Sequence, residues 1–428
     1  MSENTSESWL QRLKDESWEA ELLVAAVSII GTLQLFAFVE WINGLFINIL
    51  PPSFYFAAYF VVFSALLAIS ILSSMFIIHF MLRAYWVGLV GLNSVFSDYD
   101  IDASKYSKIY MNKLVNALPT LDHYINRADR LCSVIFSAAF GFLMAYGWIF
   151  VSSALYLVIA NRLVNIIPLY VIVAPLALLA LATIAQMFLT VFCNIKRNKD
   201  NEKLQTMFYR VSMFITIISF GPLYKAIMQI SVIFSTNFKK DKALVKLVLF
   251  FVLCGFCLAG VRLLNTNILY LMHPDKYFST SHAEASYYQN QMIGETFLLS
   301  PQLTNNVIKS PLIEMFIPIF SYEQGLHKQN CENLRNMEGE EREKSRAAEL
   351  SCYKQYHEIV IDGKSIPFHM IKTEHNLTGQ DGVVVYAELT KEMKNGYYVV
   401  EVQKSIFDEP QSWSIPFYYL RLQHMSQQ

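Results

Sequence analysis

Three stretches of the chain are long, apolar and free of charged side chains: 54–82, 131–161 and 163–195. Each exceeds the roughly 20 residues that an α-helix needs to cross the hydrocarbon core of a bilayer. Over all 428 residues only 16% are charged, whereas soluble domains carry about 25%. The sequence therefore predicts a polytopic α-helical protein of the cytoplasmic (inner or plasma) membrane, in contact with its lipids.

A membrane bundle is predicted over 21–265. Residues 1–20, with Trp9 and Trp18, are expected to lie in the membrane interface, as an amphipathic helix or as a simple aromatic anchor. The five predicted full crossings are about 22–48, 54–81, 132–159, 167–194 and 243–264.

The basic residues favour one orientation of this bundle. Lys and Arg are concentrated in the loop 83–130 and in 196–210, whereas the turn between the first two spans carries no charge. Cytoplasmic loops carry the excess of Lys and Arg, so we expect both basic segments and the N-terminus to lie in the cytoplasm. Apolar residues at steps of four predict a helix within the first loop that ends near Pro119.

The segment 207–235 is predicted to be broken or re-entrant. It holds two short uncharged runs, separated by Gly221, Pro222 and Lys225. A proline removes a helix hydrogen bond, and a lysine at the bilayer centre costs about 2.5 kcal/mol or more. Turning back avoids that cost and leaves five crossings with the C-terminal part outside the cytoplasm. The alternative is six crossings with that part inside.

The C-terminal part differs from the bundle in charge and in periodicity. Residues 266–428 carry 14 basic and 20 acidic side chains, against 20 and 15 in residues 1–265. We expect a linker and helical region over 266–355, in which the apolar piece at 310–320 packs the tail onto the membrane or onto itself.

From residue 356 the apolar residues alternate with period two. The stretch 356–428 predicts a small, mostly-β, sandwich-like domain of four or five short strands. Asp362-Gly363 is a turn signal, and Asn395-Gly396 is a hairpin signal.

The cysteines form two pairs with different expected roles. Cys331 and Cys352 flank the predicted helical stretch of the tail and predict one disulfide in an oxidising compartment, with two reduced thiols as the alternative. Cys254 and Cys257 form C-G-F-C inside the predicted last span. That spacing allows thiol–disulfide exchange, although cysteine is also an ordinary small residue of apolar helices.

Glu40 and Lys225 are the polar candidates within the predicted membrane region. They could pair with each other or line an ion path, or Glu40 could simply reach the outer interface. No spaced metal-ligand cluster, catalytic motif or nucleic-acid-binding patch is present in the sequence. We therefore expect no cofactor, no metal and no enzymatic activity.

The favoured function is a non-catalytic membrane scaffold, sensor or accessory subunit. Its outer domain would bind a protein partner or a ligand. Small residues at Ser137, Gly141 and Ala145 allow close helix packing within the chain or in a homo-oligomer. A transporter or channel that uses the break around Lys225 is the first alternative, and a membrane thiol-disulfide oxidoreductase is the second.

Overall fold

The computed structural model of this chain is mostly helical with a C-terminal β-sheet region. It divides into two compact units. The helical unit comprises Met1–Trp41 and Phe60–Thr266, and the tail unit comprises Ile42–Tyr59 and Asn267–Gln428. The described residues are 3–96, 105–164, 166–238, 242–274, 284–292, 297–330, 342–389, 393–406 and 410–421.

The helices before the tail follow the apolar runs of the sequence. They are α1 (Glu3–Ile49), α2 (Tyr55–Val95), α3 (Lys108–Ala117), α4 (Leu121–Leu163), α5 (Leu169–Cys193), α6 (Glu202–Phe220), α7 (Tyr224–Phe238) and α8 (Lys242–Leu264). Helix α3 starts at its N-cap Ser107 and ends two residues before Pro119, as predicted.

Five helical segments of the described chain are long and apolar enough to cross a membrane. The first three contain the first three predicted spans, and the fourth, Tyr170–Cys193, lies within the predicted span 167–194. The fifth is Glu202–Thr236, which includes the segment predicted to be broken. Helix α8, the predicted last span, has 23 residues. Its apolar part, Val248–Leu264, is shorter than the five segments above.

The predicted interfacial segment 1–20 is continuous with the first predicted span from Glu3 onward, and its place in the membrane interface stays a prediction. Helix α1 is continuous from Glu3 to Ile49, a length of 47 residues. The reason lies in the sequence, because no glycine or proline precedes Gly31 and nothing there ends the helix.

The helix is interrupted where the sequence places Gly221 and Pro222. Gly221–Leu223 forms a single turn of 3₁₀-helix between α6 and α7, and Gly221 has a φ of +49°. That positive φ favours glycine, which has no Cβ to clash with the backbone. Proline at the next position supplies no N–H to an α-helical ladder, so α6 ends here.

Contacts within the helical unit give the direction of the helices on either side of this break. Gln186 Nε2 of α5 donates to Ser212 Oγ of α6 at 3.1 Å, and Gln205 Nε2 of α6 donates to the Cys193 carbonyl at 3.0 Å. Residues later in α6 therefore contact residues earlier in α5. The two helices run antiparallel. The Tyr156 hydroxyl of α4 donates to the Ile172 carbonyl of α5, so the chain also reverses direction between α4 and α5.

On the other side of the break, α7 runs antiparallel to α4. A Cβ on Gly221 would lie 2.6 Å from the Trp148 ring, and a Cβ on Gly141 would lie 3.2 Å from Ile230. Residues later in α7 therefore contact residues earlier in α4. Because α6 runs in the same direction as α4, the chain reverses at Gly221-Pro222.

The tail unit contains two β-sheets. One has strand order β1-β3-β7-β6 and the other β2-β9-β8-β4-β5. All neighbouring strands pair antiparallel except β2 and β9, which are parallel. The strands are β1 (Gln302–Leu303), β2 (Val307–Ile308), β3 (Leu312–Pro318), β4 (His357–Ile361), β5 (Lys364–Ser365), β6 (Phe368–Glu374), β7 (Asp381–Glu388), β8 (Gly396–Lys404) and β9 (Gln411–Tyr419).

Both sheets contribute to one hydrophobic core. Alternate residues point inward, such as Ile313 and Val385 from the first sheet and Val402 and Ile415 from the second, and all four are fully buried. This alternation is the ordinary result of the strand period of two. The β-rich region therefore begins before residue 310, and not near residue 356 as predicted.

Two further sequence predictions about the tail are corrected. The apolar piece at 310–320 contains β3, a central strand that pairs with β1 and β7, and it does not serve as a separate packing segment. Asn395-Gly396 does not close a hairpin, because β7 and β8 belong to different sheets.

The turn predicted at Asp362-Gly363 is confirmed. It joins β4 to β5, with Ile361 paired to Lys364, and its two residues have φ values of +49° and +76°. A positive φ at both positions is the type I′ pattern of two-residue hairpins. The predicted helical region contains α9 (Glu323–Asn330) and α10 (Arg342–Gln355).

The connection between α1 and α2 folds with the tail unit. Asn48 accepts two hydrogen bonds from the segment before α9, one from Ser321 N–H to its side-chain oxygen at 2.8 Å and one from Tyr322 N–H to its carbonyl at 3.1 Å. The ring of Tyr55 lies 5.9 Å from that of Tyr270. Ile42–Tyr59 is thus an integral part of this unit.

Candidate functional site

The tail unit has an open polar pocket of about 310 Å³ on one face of the β1-β3-β7-β6 sheet. Strand residues of this sheet supply its floor, and the ends of neighbouring segments supply its rim. Its lining residues are Gln289, Gln302, Thr304, Glu314, Phe316, Ile371, Thr373, Glu374, His375, Asn376, Val384 and Tyr386.

Strand register explains why these residues share one surface. Glu314 is paired with Tyr386 across β3 and β7, and Phe316 is paired with Val384, which in turn faces Ile371 on β6. Successive side chains of a strand alternate between the faces of a sheet. Because their neighbours fill the core, these residues point away from it and form the pocket floor.

Hydrogen bonds hold the polar side chains of the pocket in place. Tyr386 donates its hydroxyl to Glu314 Oε1 at 3.1 Å. The buried His375 contacts Gln302 Oε1 at 3.1 Å and Thr378 Oγ1 at 3.0 Å, and Gln289 donates to Asn376 at 2.8 Å. Burial lowers the pKa of His375, which keeps its imidazole uncharged at neutral pH.

One glycine makes room for the aromatic side of this pocket. A Cβ on Gly382 would lie 2.4 Å from the ring of Phe316 and 2.5 Å from the Ile317 carbonyl oxygen. The Phe316 ring therefore occupies the space above Gly382, with its centre 4.8 Å from that of His375. Glycine at this position is required by the close approach of the ring and not by a positive φ.

Replacing Gly382 by alanine is expected to destabilise the tail unit by about 1–3 kcal/mol, because overpacking forces a ring and a backbone carbonyl apart. Pulse proteolysis of the full chain across a urea gradient measures the effect. Gly396→Ala is the matched control, since its nearest neighbour would be 3.8 Å away. Equal unfolding midpoints for the two variants would contradict the packing described for Phe316.

A second polar cluster lies inside the tail unit, at the ends of α9 and β8. Lys404 Nζ lies 2.5 Å from Glu323 Oε2, and both side chains are 2% exposed. His357, directly opposite Lys404 in the sheet, is buried as well. Burial, reinforced by the Lys404 charge, lowers the pKa of His357 to about 3, so this ring is neutral in the folded domain.

The helical unit contains a third cluster, which joins three helices. Arg83 of α2 is 3% exposed and contacts two carboxylates, Asp129 of α4 at 2.7 Å and Glu21 of α1 at 3.1 Å. Its guanidinium lies 4.4 Å from the centre of the Trp86 ring. One turn earlier on α2, His79 is fully buried with its ring centre 5.2 Å from that of Phe136.

The two polar residues predicted within the membrane region are not brought together. Glu40 and Lys225 are both exposed, and the described residues contain no ion pair between them. The Lys225 ammonium lies 5.9 Å from the centre of the Tyr224 ring, directly after the Gly221-Pro222 break. A role for either residue in an ion path stays a prediction.

The C-G-F-C pair lies on α8 as two free thiols. Cys254 is half-buried and Cys257 is exposed. The intervening Gly255 faces α2, where a Cβ would lie 2.2 Å from Ile71, so close helix packing explains that glycine. Cys331 lies outside the described residues, and its predicted disulfide with the buried Cys352 therefore stays a prediction.

The sequence analysis did not predict the Arg83 and Lys404 clusters, although a sequence pattern indicates each of them. Glu21, Arg83 and Asp129 each lie at the same end of a predicted span under the proposed orientation, so they could have been grouped. Lys404 follows Val400 and Val402 at steps of two, which places it on the core face of its strand. The pocket had no such signal, because it depends on the register of β3, β7 and β6.

No family model, no curated protein and no solved structure matches this chain.

Proposed function

We propose that this chain is an integral membrane receptor or accessory subunit, non-catalytic, whose sandwich-like tail unit binds a ligand or partner outside the cytoplasm. The observation that carries the proposal is the polar pocket on the solvent-facing side of the β1-β3-β7-β6 sheet, in which hydrogen bonds hold the Glu314 carboxylate, His375 and the side-chain amides of Gln289 and Gln302. Binding sites of this kind are concave and carry a few fixed polar groups.

Membrane embedding is supported by the surface of the helical unit. Large apolar side chains are exposed along α5, including Leu178, Phe188 and Val191 at 67%, 73% and 70%. Exposed apolar surface of this extent on a water-soluble domain would favour aggregation. In a bilayer the same side chains face lipid at no such cost.

The outside placement of the tail unit is supported by the α1–α2 connection. That connection belongs to the tail unit and carries no charge. The segments that follow α2 and α5, in contrast, carry clusters of Lys and Arg. By the positive-inside rule the basic segments are cytoplasmic. The reversal at Gly221-Pro222 is consistent with five crossings, the last of them α8, and with the same placement.

A photo-crosslinking amino acid incorporated at Ile371, in the full chain in living cells, tests the binding function. Ile371 lines the pocket and is 55% exposed. The matched control position is Tyr397, which is 85% exposed on the other sheet. A light-dependent adduct at position 371 and not at 397 is expected. No adduct at 371, or the same adducts at both positions, would overturn the proposal.

A transporter or channel is the second candidate function. It is favoured by the buried Arg83 cluster, with the fully buried His79 beside it, because ionisable groups inside a membrane bundle often mark ion pathways. Under this alternative the break at Gly221-Pro222 forms part of the path. Changed ion or solute flux in the exposed Lys225→Gln variant, with cross-linking at position 371 unaltered, would favour the transporter.

A further inference from the structure

We propose that a groove in the helical unit binds an anionic phospholipid of the leaflet that faces the basic segments, with an acyl chain in the groove and the phosphate at Arg130. This site is independent of the pocket in the tail unit. Three observations support it: the apolar lining of the groove, its depth in the predicted spans, and two arginines on the same face of α4.

The groove lies among α2, α4, α7 and α8 and has a volume of about 460 Å³. Its described lining residues are uncharged, and the polar side chains among them are Ser231 and Ser235. The Ser235 hydroxyl donates to the Val232 carbonyl of its own helix at 3.0 Å. A lining of this kind offers little to a polar solute and makes van der Waals contacts with an apolar chain.

Close helix contacts border the groove. A Cβ on Gly141 of α4 would lie 3.2 Å from Ile230 of α7, and a Cβ on Gly255 of α8 would lie 2.2 Å from Ile71 of α2. Between these contacts the short side chain of Ala138 and the two serines leave the space unfilled. The groove is therefore a feature of a packed bundle and not a gap between separated helices.

The groove lies in the half of the bundle nearer the basic segments. Met75 lies six residues before the end of the predicted span 54–81, and Ala138 lies six residues after the start of 132–159. At 1.5 Å per residue, both are about 9 Å inside the predicted boundary. An open groove at this depth borders the acyl chains of one leaflet.

The volume of the groove fits an acyl chain better than a partner helix. At about 30 Å³ for a group the size of a water molecule or a methylene, the groove holds about 15 such groups. A helix about 10 Å wide needs about twice that volume along the roughly 12 Å from Ile227 to Ser235. One acyl chain is therefore the occupant that the space favours.

Two arginines lie on the groove face of α4. Arg127, Arg130, Val134 and Ala138 follow one another at steps of three or four, so they share one side of the helix. Arg130 is eight residues, or about 12 Å, before Ala138. This places it just outside the predicted span 132–159, where the lipid headgroups begin.

The charge of these arginines is available to a phosphate. Both side chains are exposed. The neighbouring Asp129 is directed to another side of α4, where it contacts Arg83 at 2.7 Å. A guanidinium binds phosphate oxygens through two parallel hydrogen bonds, and an anionic membrane surface attracts basic residues that lie close to it.

Native mass spectrometry of the purified full chain in a neutral detergent tests the site. The probes are phosphatidylglycerol, which is anionic, and phosphatidylcholine with identical acyl chains. We expect one phosphatidylglycerol to be retained per chain. Phosphatidylcholine should bind about 5- to 25-fold more weakly, since each basic residue near an anionic headgroup contributes about fivefold.

Variants separate the two parts of the site. Arg130→Gln should lose about fivefold in affinity for phosphatidylglycerol and leave the binding of phosphatidylcholine unchanged. Ser231→Leu fills the groove and should weaken the binding of both lipids. Ser137→Leu is the matched control, because Ser137 is exposed next to Ala138 but does not line the groove. It should bind both lipids as the parent does.

Three results would overturn this inference: no retained lipid, equal affinity of the parent for the two lipids, or unchanged binding by Ser231→Leu. A dimer of the chain that excludes lipid would overturn it as well, because the groove would then be an interface between copies.

Discussion

Replacing Lys404 by methionine is expected to destabilise the tail unit by about 3–5 kcal/mol. The variant leaves the Glu323 carboxylate, 2% exposed, without the cation that lies 2.5 Å from it. A buried charge without its partner carries its full desolvation cost, which exceeds what an ion pair at the surface contributes. Pulse proteolysis of the full chain in urea measures the loss as a lower unfolding midpoint.

The chain contains a matched surface pair for comparison. Lys372 lies 2.6 Å from Glu349, nearly the same separation, but these side chains are 43% and 26% exposed. Lys372→Met should therefore change stability by about 0–1 kcal/mol. The double variant Glu323→Leu, Lys404→Met should recover most of the loss, because an apolar pair replaces the buried charges. Equal losses for Lys404→Met and Lys372→Met would contradict this account of burial.

The second large effect is expected for Arg83→Leu in the helical unit. Its guanidinium is the cation shared by Glu21 and Asp129, and it joins α1, α2 and α4. Removing it leaves two carboxylates facing each other near the end of the predicted spans. Because Asp129 is 39% exposed and partly solvated, we expect the lower end of the range for buried pairs, about 3 kcal/mol.

Unfolding of the purified chain by SDS, followed by the loss of helical circular dichroism, measures this effect. Arg83→Lys should recover part of the stability, since a lysine ammonium lacks the fork that holds two carboxylates at once. Arg130→Leu is the control, because Arg130 is exposed one residue from Asp129 on α4. An SDS midpoint for Arg83→Leu within error of that control would show that the cluster does not hold these helices.

The helical part could be largely anticipated because its signal is local. Long apolar runs predict membrane-spanning helices directly. Gly221 and Pro222 end helix α6 through their own backbone properties, which the sequence shows without any tertiary contact. The same rule explains the continuity of α1, since no glycine or proline precedes Gly31.

For the tail unit, the sequence predicted a mostly-β fold but not which strands pair. Period-two alternation revealed the late strands, and Asp362-Gly363 specified its turn by backbone conformation. Strand β3 was missed because its proline and its isolation among irregular residues hid the same alternation. Asn395-Gly396 failed as a hairpin since pairing partners depend on contacts that no local pattern records.

The candidate site depends on such non-local contacts throughout. Glu314 and Tyr386 are 72 residues apart and meet only because β3 pairs with β7. Gly382 makes room for the ring of Phe316 from another strand, a contact that no local pattern in the sequence indicates. Glu40 and Lys225, chosen for local polarity, form no ion pair among the residues that the structure describes.

The sidedness of the tail unit is the most direct test of the central claim, that a pocket-bearing domain faces out of the cytoplasm from a membrane bundle. Two single cysteine variants suffice, Ser365→Cys in the exposed β5 strand and Lys199→Cys in the exposed connection after α5. The parent chain reports the background from its native thiols. With a membrane-impermeant maleimide, the account predicts labelling of position 365 in intact cells and of position 199 only after lysis. Labelling of 199 in intact cells, or of 365 only after lysis, would contradict it.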